Sequence, residues 1–151
     1  MLEAESILQE KRMPYRLIEL TEGAMTVADV VRYSKGDINI VEICKTVIMR
    51  DDSGNHYAFL LIGTERVDPH KAKKLTGRKL SIASPGEVRK STGVDPGAVC
   101  PITLHIPLTI DQRVTALQRI NFGSGNNLYG IEMKTSDFLR AIPHTIADIS
   151  Q

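Results

Sequence analysis

A lysine stands in the middle of an apolar run, Val41–Arg50 (VEICKTVIMR). The run reads as a strand, with β-branched and apolar residues around a single internal cation. Alternation puts Ile43, Lys45, Val47 and Met49 on one face and Cys44, Thr46, Ile48 and Arg50 on the other. An ammonium in register with three residues that favour burial must reach water, pair with an anion, or lose its charge. The run's one acid, Glu42, points to the opposite face. A ligand oxygen in a cleft is one candidate partner; the plainer alternative is a packed stem with its head in solvent.

A second candidate is Gly93–Pro101 (GVDPGAVCP), a loop stiffened by two prolines. Gly97 would let a ligand approach the backbone, and the amides of Ala98, Val99 and Cys100 would be free to point at an oxygen. Pro101 ends the donor set. The loop therefore reads either as an oxyanion site built of main chain or, on composition alone, as a rigid connector.

The remaining chemistry is thinner. Lys71, Lys73, Lys74, Arg78 and Lys79 follow one another with no acid between them, which suits either phosphate contact or a solvated helix face. Gly123-Ser124-Gly125-Asn126-Asn127 could cradle a phosphate or ribose, but it lacks the lysine and the following helix of a P-loop. Asp51 and Asp52 are a pair that could do acid–base work, but at a hairpin tip such residues more often serve turn geometry. The four histidines show no metal-ligand spacing, and no metal or cofactor is expected. Cys44 leaves the opposite face of the strand from Lys45 and reads as a core residue. Cys100 could face a ligand, yet no histidine is placed to activate it.

The elements that must position these residues are those of an α+β chain. A short helix carrying Leu2, Ile7 and Leu8 ends before Pro14, and Tyr15–Leu20 alternates as a strand. Thr26 opens a helix over Val27–Tyr33, with Asp29 completing a weak capping box. The lysine strand turns at 51–55 and returns through His56–Ile62. Asp68-Pro69 starts a helix that Gly77 stops, Arg78–Ala83 is a strand, and Ser84 with Glu87 caps a helix ending near Gly93. Pro107–Ile110, Ile120–Phe122 and Leu128–Met133 are strands. A helix runs from Thr135 through Ala141, and Ile146–Ile149 closes the chain.

Bulk properties bound the reading. The 151 residues suit one domain over 1–151, and 42% apolar with 25% charged residues is ordinary globular composition. A net charge of +1 excludes a strongly basic, sequence-indifferent nucleic-acid binder, so RNA contact needs a local patch. Without tryptophan, aromatic base-stacking is disfavoured. Glu3, Glu5 and Glu10 oppose a signal peptide, and no run reaches membrane-spanning length, so the expected location is the cytoplasm, with no membrane partner.

In order along the chain stand Lys45-Thr46-Val47, the Asp-Asp-Ser-Gly hairpin, Arg66-Val67-Asp68, and Leu80-Ser-Ile-Ala-Ser-Pro-Gly-Glu-Val88. Thr92-Gly-Val-Asp-Pro-Gly-Ala-Val-Cys-Pro101, Gly123-Ser124-Gly125 and Ala147-Asp148-Ile149 follow. This series resembles the YbaK/ProX family of aminoacyl-tRNA deacylases over nearly the whole chain. The resemblance implies a mixed or antiparallel β-barrel-like sheet flanked by short helices, and hydrolysis in trans of a mischarged aminoacyl-tRNA ester without metal. It implies that Lys45 holds the terminal adenosine or the substrate carbonyl, and that the backbone of Gly97, Ala98 and Val99 positions the aminoacyl group. Thr46, Cys100, Pro101, Ser124, Gly125 and Thr26 would contact substrate, and Lys71, Lys73, Lys74 and Arg78 would contact RNA phosphate.

The family's alanyl-prolyl branch carries Asn after the lysine and a His in the late loop, where this chain has Thr46 and Gly123–Gly125. The lysine–threonine pair is closer to the YbaK-like branch, associated with cysteinyl-prolyl tRNA. That branch has an acidic residue near Gly130, where the one acid of this chain is Glu132. The implied substrate is tRNA-Pro carrying Cys, Ala or Ser, with prolyl-tRNA synthetase as a partner. The competing expectations are a non-catalytic tRNA- or synthetase-binding module and a hydrolase acting through Cys100.

Overall fold

The computed structural model describes residues 1–151. Helix α1 (Glu3–Glu10) buries Ala4 and Leu8, and strand β1 (Arg16–Glu19) follows. Helix α2 (Val27–Tyr33) is capped by Thr26, whose Oγ1 accepts the Asp29 N–H at 3.1 Å, while the Met25 N–H donates to the Asp29 carboxylate. The lysine run begins as a strand three residues later than expected. Ile40–Glu42 form a 3-10 turn capped by Asn39, and strand β2 is Cys44–Arg50. The partner strand β3 (His56–Ile62) ends opposite Cys44, so the residues before it have no ladder to join.

Helix α3 (Pro69–Thr76) starts on the Asp68 carboxylate, which accepts the His70 and Lys71 amides, and stops at Gly77 with φ +72°. Strand β4 is only Ser81–Ile82, shorter than the expected Arg78–Ala83. Thr76 Oγ1 holds the Arg78 amide in a turn, and β2 offers only Met49 and Arg50 for pairing. Helix α4 (Pro85–Thr92) carries the full Ser84–Glu87 capping box and ends at Gly93, φ +81°. Strands β5 (Leu108–Asp111), β6 (Arg119–Gly123) and β7 (Tyr129–Lys134), helix α5 (Thr135–Ala141) and strand β8 (Thr145–Ala147) complete the chain.

The strands form two sheets, β1-β7-β6 and β4-β2-β3-β5-β8. The first is antiparallel. The second is mixed, because β5 joins β3, and β8 joins β5, in parallel. An isolated bridge, Ile43 to Asn121, links β2 to β6. The main core lies on the Cys44–Ile48 face of β2 and gathers Leu60, Ile110, Phe122, Ile131 and Phe138. The opposite face packs Met49, Phe59 and Leu61 against Ala72, Leu80 and Ile149, and Val47 lies beside them. Lys45 pairs with Leu61 and so rises from the edge of this smaller core. No helix is long and apolar enough to cross a membrane.

Asp51 shows why the hairpin tip is not chemistry. Its carboxylate accepts the Ser53 and Asn55 amides, the Asn55 side chain and the Tyr57 hydroxyl. These bonds, the Asn55 side chain first, lower its pKa from 3.8 to about 2. The folded value lies below the unfolded one, so this stability is complete above pH 3.8 and is lost as pH falls towards about 2. Asp51→Asn should flatten the acid limb of a Tm-against-pH profile in that window. An unchanged limb would contradict the assignment.

Candidate active site

Where β2 and β6 part beyond the Ile43–Asn121 bridge, a cleft of about 300 Å³ opens. Lys45 and Thr46 line it from β2, Gly97 and Val99 from the loop after α4, and Thr26 from the start of α2. Lys45 and the glycine–proline loop thus share one hollow. The lining is mostly apolar and contains no aspartate or glutamate, so Lys45 is its only formal charge.

Lys45 is half-buried, donates no hydrogen bond within the chain, and has no carboxylate within ion-pair distance. Burial pushes its pKa below the usual lysine value, nearby Arg66 adds to the depression, and Glu65 partly opposes it. An under-coordinated cation facing an apolar hollow is a preorganised partner for a negatively charged or polarised oxygen.

The loop differs from its expected geometry in two respects. The Ala98 amide is not free, because it closes a 3-10 turn (Pro96–Ala98) on the Asp95 carbonyl at 2.9 Å. The amides of Val99 and Cys100 donate no hydrogen bond within the chain, and of these two residues Val99 lines the cleft. The space beside Gly97 holds protein rather than a ligand approach. A Cβ there would stand 2.5 Å from the Met25 Cα and 2.6 Å from its carbonyl oxygen. Gly97 therefore locks the loop against the residues entering α2. On the other side, Gly123 lies flush against the loop, where a Cβ would meet the Val99 carbonyl at 2.5 Å, and the Gly125 amide donates to Ala98 O.

Other residues singled out from sequence lie elsewhere. Cys100, Ser124 and Gly125 line a separate, smaller cavity beside α1 and α4, and Pro101 lines a third. Ser124 Oγ is 2.6 Å from the Tyr129 carbonyl and accepts the Asn126 amide, which shapes its own turn. Both thiols are buried, and burial raises Cys44 to about 12 and Cys100 to about 11. Neither supplies a thiolate near neutral pH, which removes the physical basis for a Cys100 nucleophile. Lys71 is engaged by Asp148 at 2.9 Å and the Ser150 carbonyl at 2.8 Å. Lys73, Lys74, Arg78 and Lys79 are exposed and without ion pairs.

Asn121 was missed in the sequence. It lines the cleft and is 3% exposed. Its signal is an amide between Ile120 and Phe122, the three buried residues at the middle of β6. Ile82, Asn127 and Tyr129 also reach the cleft.

Comparison with known proteins agrees with this frame. Residues 21–141 match the model of the aminoacyl-tRNA editing domain. The hypothetical protein APE2540 superimposes with a TM-score of 0.85 at 26% identity, over 97% of this chain and 98% of that one. A protein described as a candidate trans-editing enzyme for prolyl tRNA synthetase superimposes with a TM-score of 0.81 at 23% identity, over 100% and 99%. The latter likeness speaks for the fold. With the family model spanning most of its length, cleft and loop included, the chain belongs to the aminoacyl-tRNA editing domain family.

Proposed function

We propose that this protein hydrolyses in trans the ester of a mischarged aminoacyl-tRNA, tRNA-Pro bearing a small amino acid such as Cys, Ala or Ser. The observation that carries the reading is Lys45, an unpaired half-buried ammonium sharing one cleft with the Val99 amide. Water adds to the ester carbonyl, and the resulting oxyanion is held by the Lys45 ammonium and by the free Val99 N–H. The C–O bond to the ribose then breaks. The ribose oxygen takes a proton, releasing the amino acid and a tRNA with a free terminal hydroxyl. No cysteine or serine nucleophile enters this scheme, and a water or the neighbouring ribose hydroxyl relays the proton.

Thr46 and Thr26 flank the aminoacyl group and the terminal nucleoside. Lys73, Lys74 and Arg78 meet the phosphates of the acceptor end; Lys71 contributes least, since its ammonium is already spent on Asp148 and the tail. Each phosphate contact steepens the salt dependence of binding. A prolyl-tRNA synthetase is the natural supplier of such a substrate and the partner this reading implies.

The test is release of amino acid from tRNA-Pro charged with alanine, serine or cysteine. The expected result is turnover of at least one ester by wild type, with a steep loss in Lys45→Ala. Salt-sensitive tRNA binding with no release from any ester would instead identify a binding module.

A further inference from the structure

Two polar groups in the cleft are left without partners by the fold itself. Thr46 Oγ1 and Asn121 Nδ2 are both shut off from solvent and make no hydrogen bond within the chain. Both residues are at least nine-tenths buried, and both line the cleft that holds Lys45. Leaving such a group unpaired carries the full cost of its desolvation. Two in one hollow mark a position where a polar atom of something else belongs. Gly130 makes the room: a Cβ there would stand 3.0 Å from Asn121 Oδ1.

We propose that the Asn121 amide and the Thr46 hydroxyl form a subsite for the side-chain hydroxyl of the aminoacyl group, so that the cleft prefers a seryl ester over an alanyl or cysteinyl one. This rests on the deacylase reading and names its substrate class. A hydroxyl both donates and accepts, and so do the two groups it would meet, whichever way the amide is turned. The α-ammonium is a poorer occupant. The cleft offers it no carboxylate and already holds the Lys45 cation, so burying a second positive charge there would be uncompensated. Alanine leaves both polar groups unpaired, and a thiol bonds them weakly. A site built around a hydroxyl therefore discriminates by what its absence leaves unsatisfied.

The experiment compares kcat/KM for seryl, alanyl and cysteinyl esters of one tRNA. Wild type should favour the seryl ester by about 10- to 100-fold. Thr46→Val and Asn121→Leu remove the polar atoms with little change of volume. Each should bring the seryl-to-alanyl ratio down about tenfold, the seryl rate falling further than the alanyl one. Gly130→Ala, which presses on the amide without replacing it, should lower the same ratio. Thermal melts establish that the variants fold, and the wild-type ratio needs no variant at all. Equal or faster turnover of the alanyl ester by wild type, or a seryl preference that survives both substitutions, overturns the subsite while leaving the deacylase reading intact. Turnover of no ester overturns both.

Discussion

Lys45→Ala is expected to lower kcat/KM for ester hydrolysis by about 10²- to 10³-fold, the usual effect of deleting one oxyanion donor. Its melting temperature should hold. Lys45→Met sharpens the expectation, because it keeps the stem that packs beside Val47 and Leu61 and deletes only the unpaired charge. Removing a half-buried cation that has no partner relieves a desolvation cost. Lys45→Met should therefore melt about 2–4 °C higher, the equivalent of about 1 kcal/mol in a chain of this size, while being as inactive as the alanine variant. The pH dependence carries the same signature. Burial and Arg66 lower the Lys45 pKa below 10.5, so the protonated form is lost earlier than for an ordinary lysine. Activity that needs the ammonium should decline on the alkaline side before 10.5 is reached, and stability should improve over the same interval as the folded-state penalty disappears. Retained turnover in Lys45→Met, or a melting temperature that falls by several degrees, would refute the account of Lys45 as strained for function.

Gly97→Ala should remove activity by a different route. The added methyl would fall 2.5–2.7 Å from three backbone atoms of Met25, and backbone cannot swing aside as a flexible side chain can. Either the Pro96–Ala98 turn or the entry to α2 must move, at a cost of about 1–3 kcal/mol by the usual measure of overpacking. Both segments line the cleft, so the loss of stability and the loss of turnover should arrive together. Gly86→Ala is the matched control. It lies in the first turn of α4 with nothing within 4 Å of the new methyl, and should be neutral or stabilising by up to about 1 kcal/mol. A Gly97→Ala protein with wild-type melting and turnover would show that the loop and the α2 entry are not rigidly coupled.

Much of the frame was legible because its signals are local. The hairpin limits follow from Asp51–Asn55, α2 from its Thr26 cap, and the stops of α3 and α4 from Gly77 and Gly93. Lys45 was legible for a related reason: a charge among apolar residues of known alternation is conspicuous without any tertiary knowledge. What escaped depends on residues far along the chain. Lys71 is occupied by Asp148, 77 residues away, and the shortness of β4 depends on which part of β2 is left to pair. The loop's donors are fewer than its composition suggests because the Pro96–Ala98 turn consumes the Ala98 amide, and that turn is set by φ and ψ rather than composition. Asn121 is inconspicuous in the sequence because a lone amide in a strand is common. Only its juxtaposition with β2, across an isolated bridge, makes it conspicuous.

That bridge has one more consequence. The Ile43 carbonyl is taken by Gly63 on the hairpin side, and the Ile48 carbonyl by Ala83 on the other. With a repeat of two, the peptide groups of Thr46 must face outward along the stretch where neither β4 nor β6 accompanies the strand. An ester bound as proposed would therefore meet peptide polarity that no codon change can erase. On the proposed reading, substitution at positions 46 and 121 would retune which acyl group is accepted, while the part of the grip on the ester that does not come from the Lys45 ammonium stays written in the main chain.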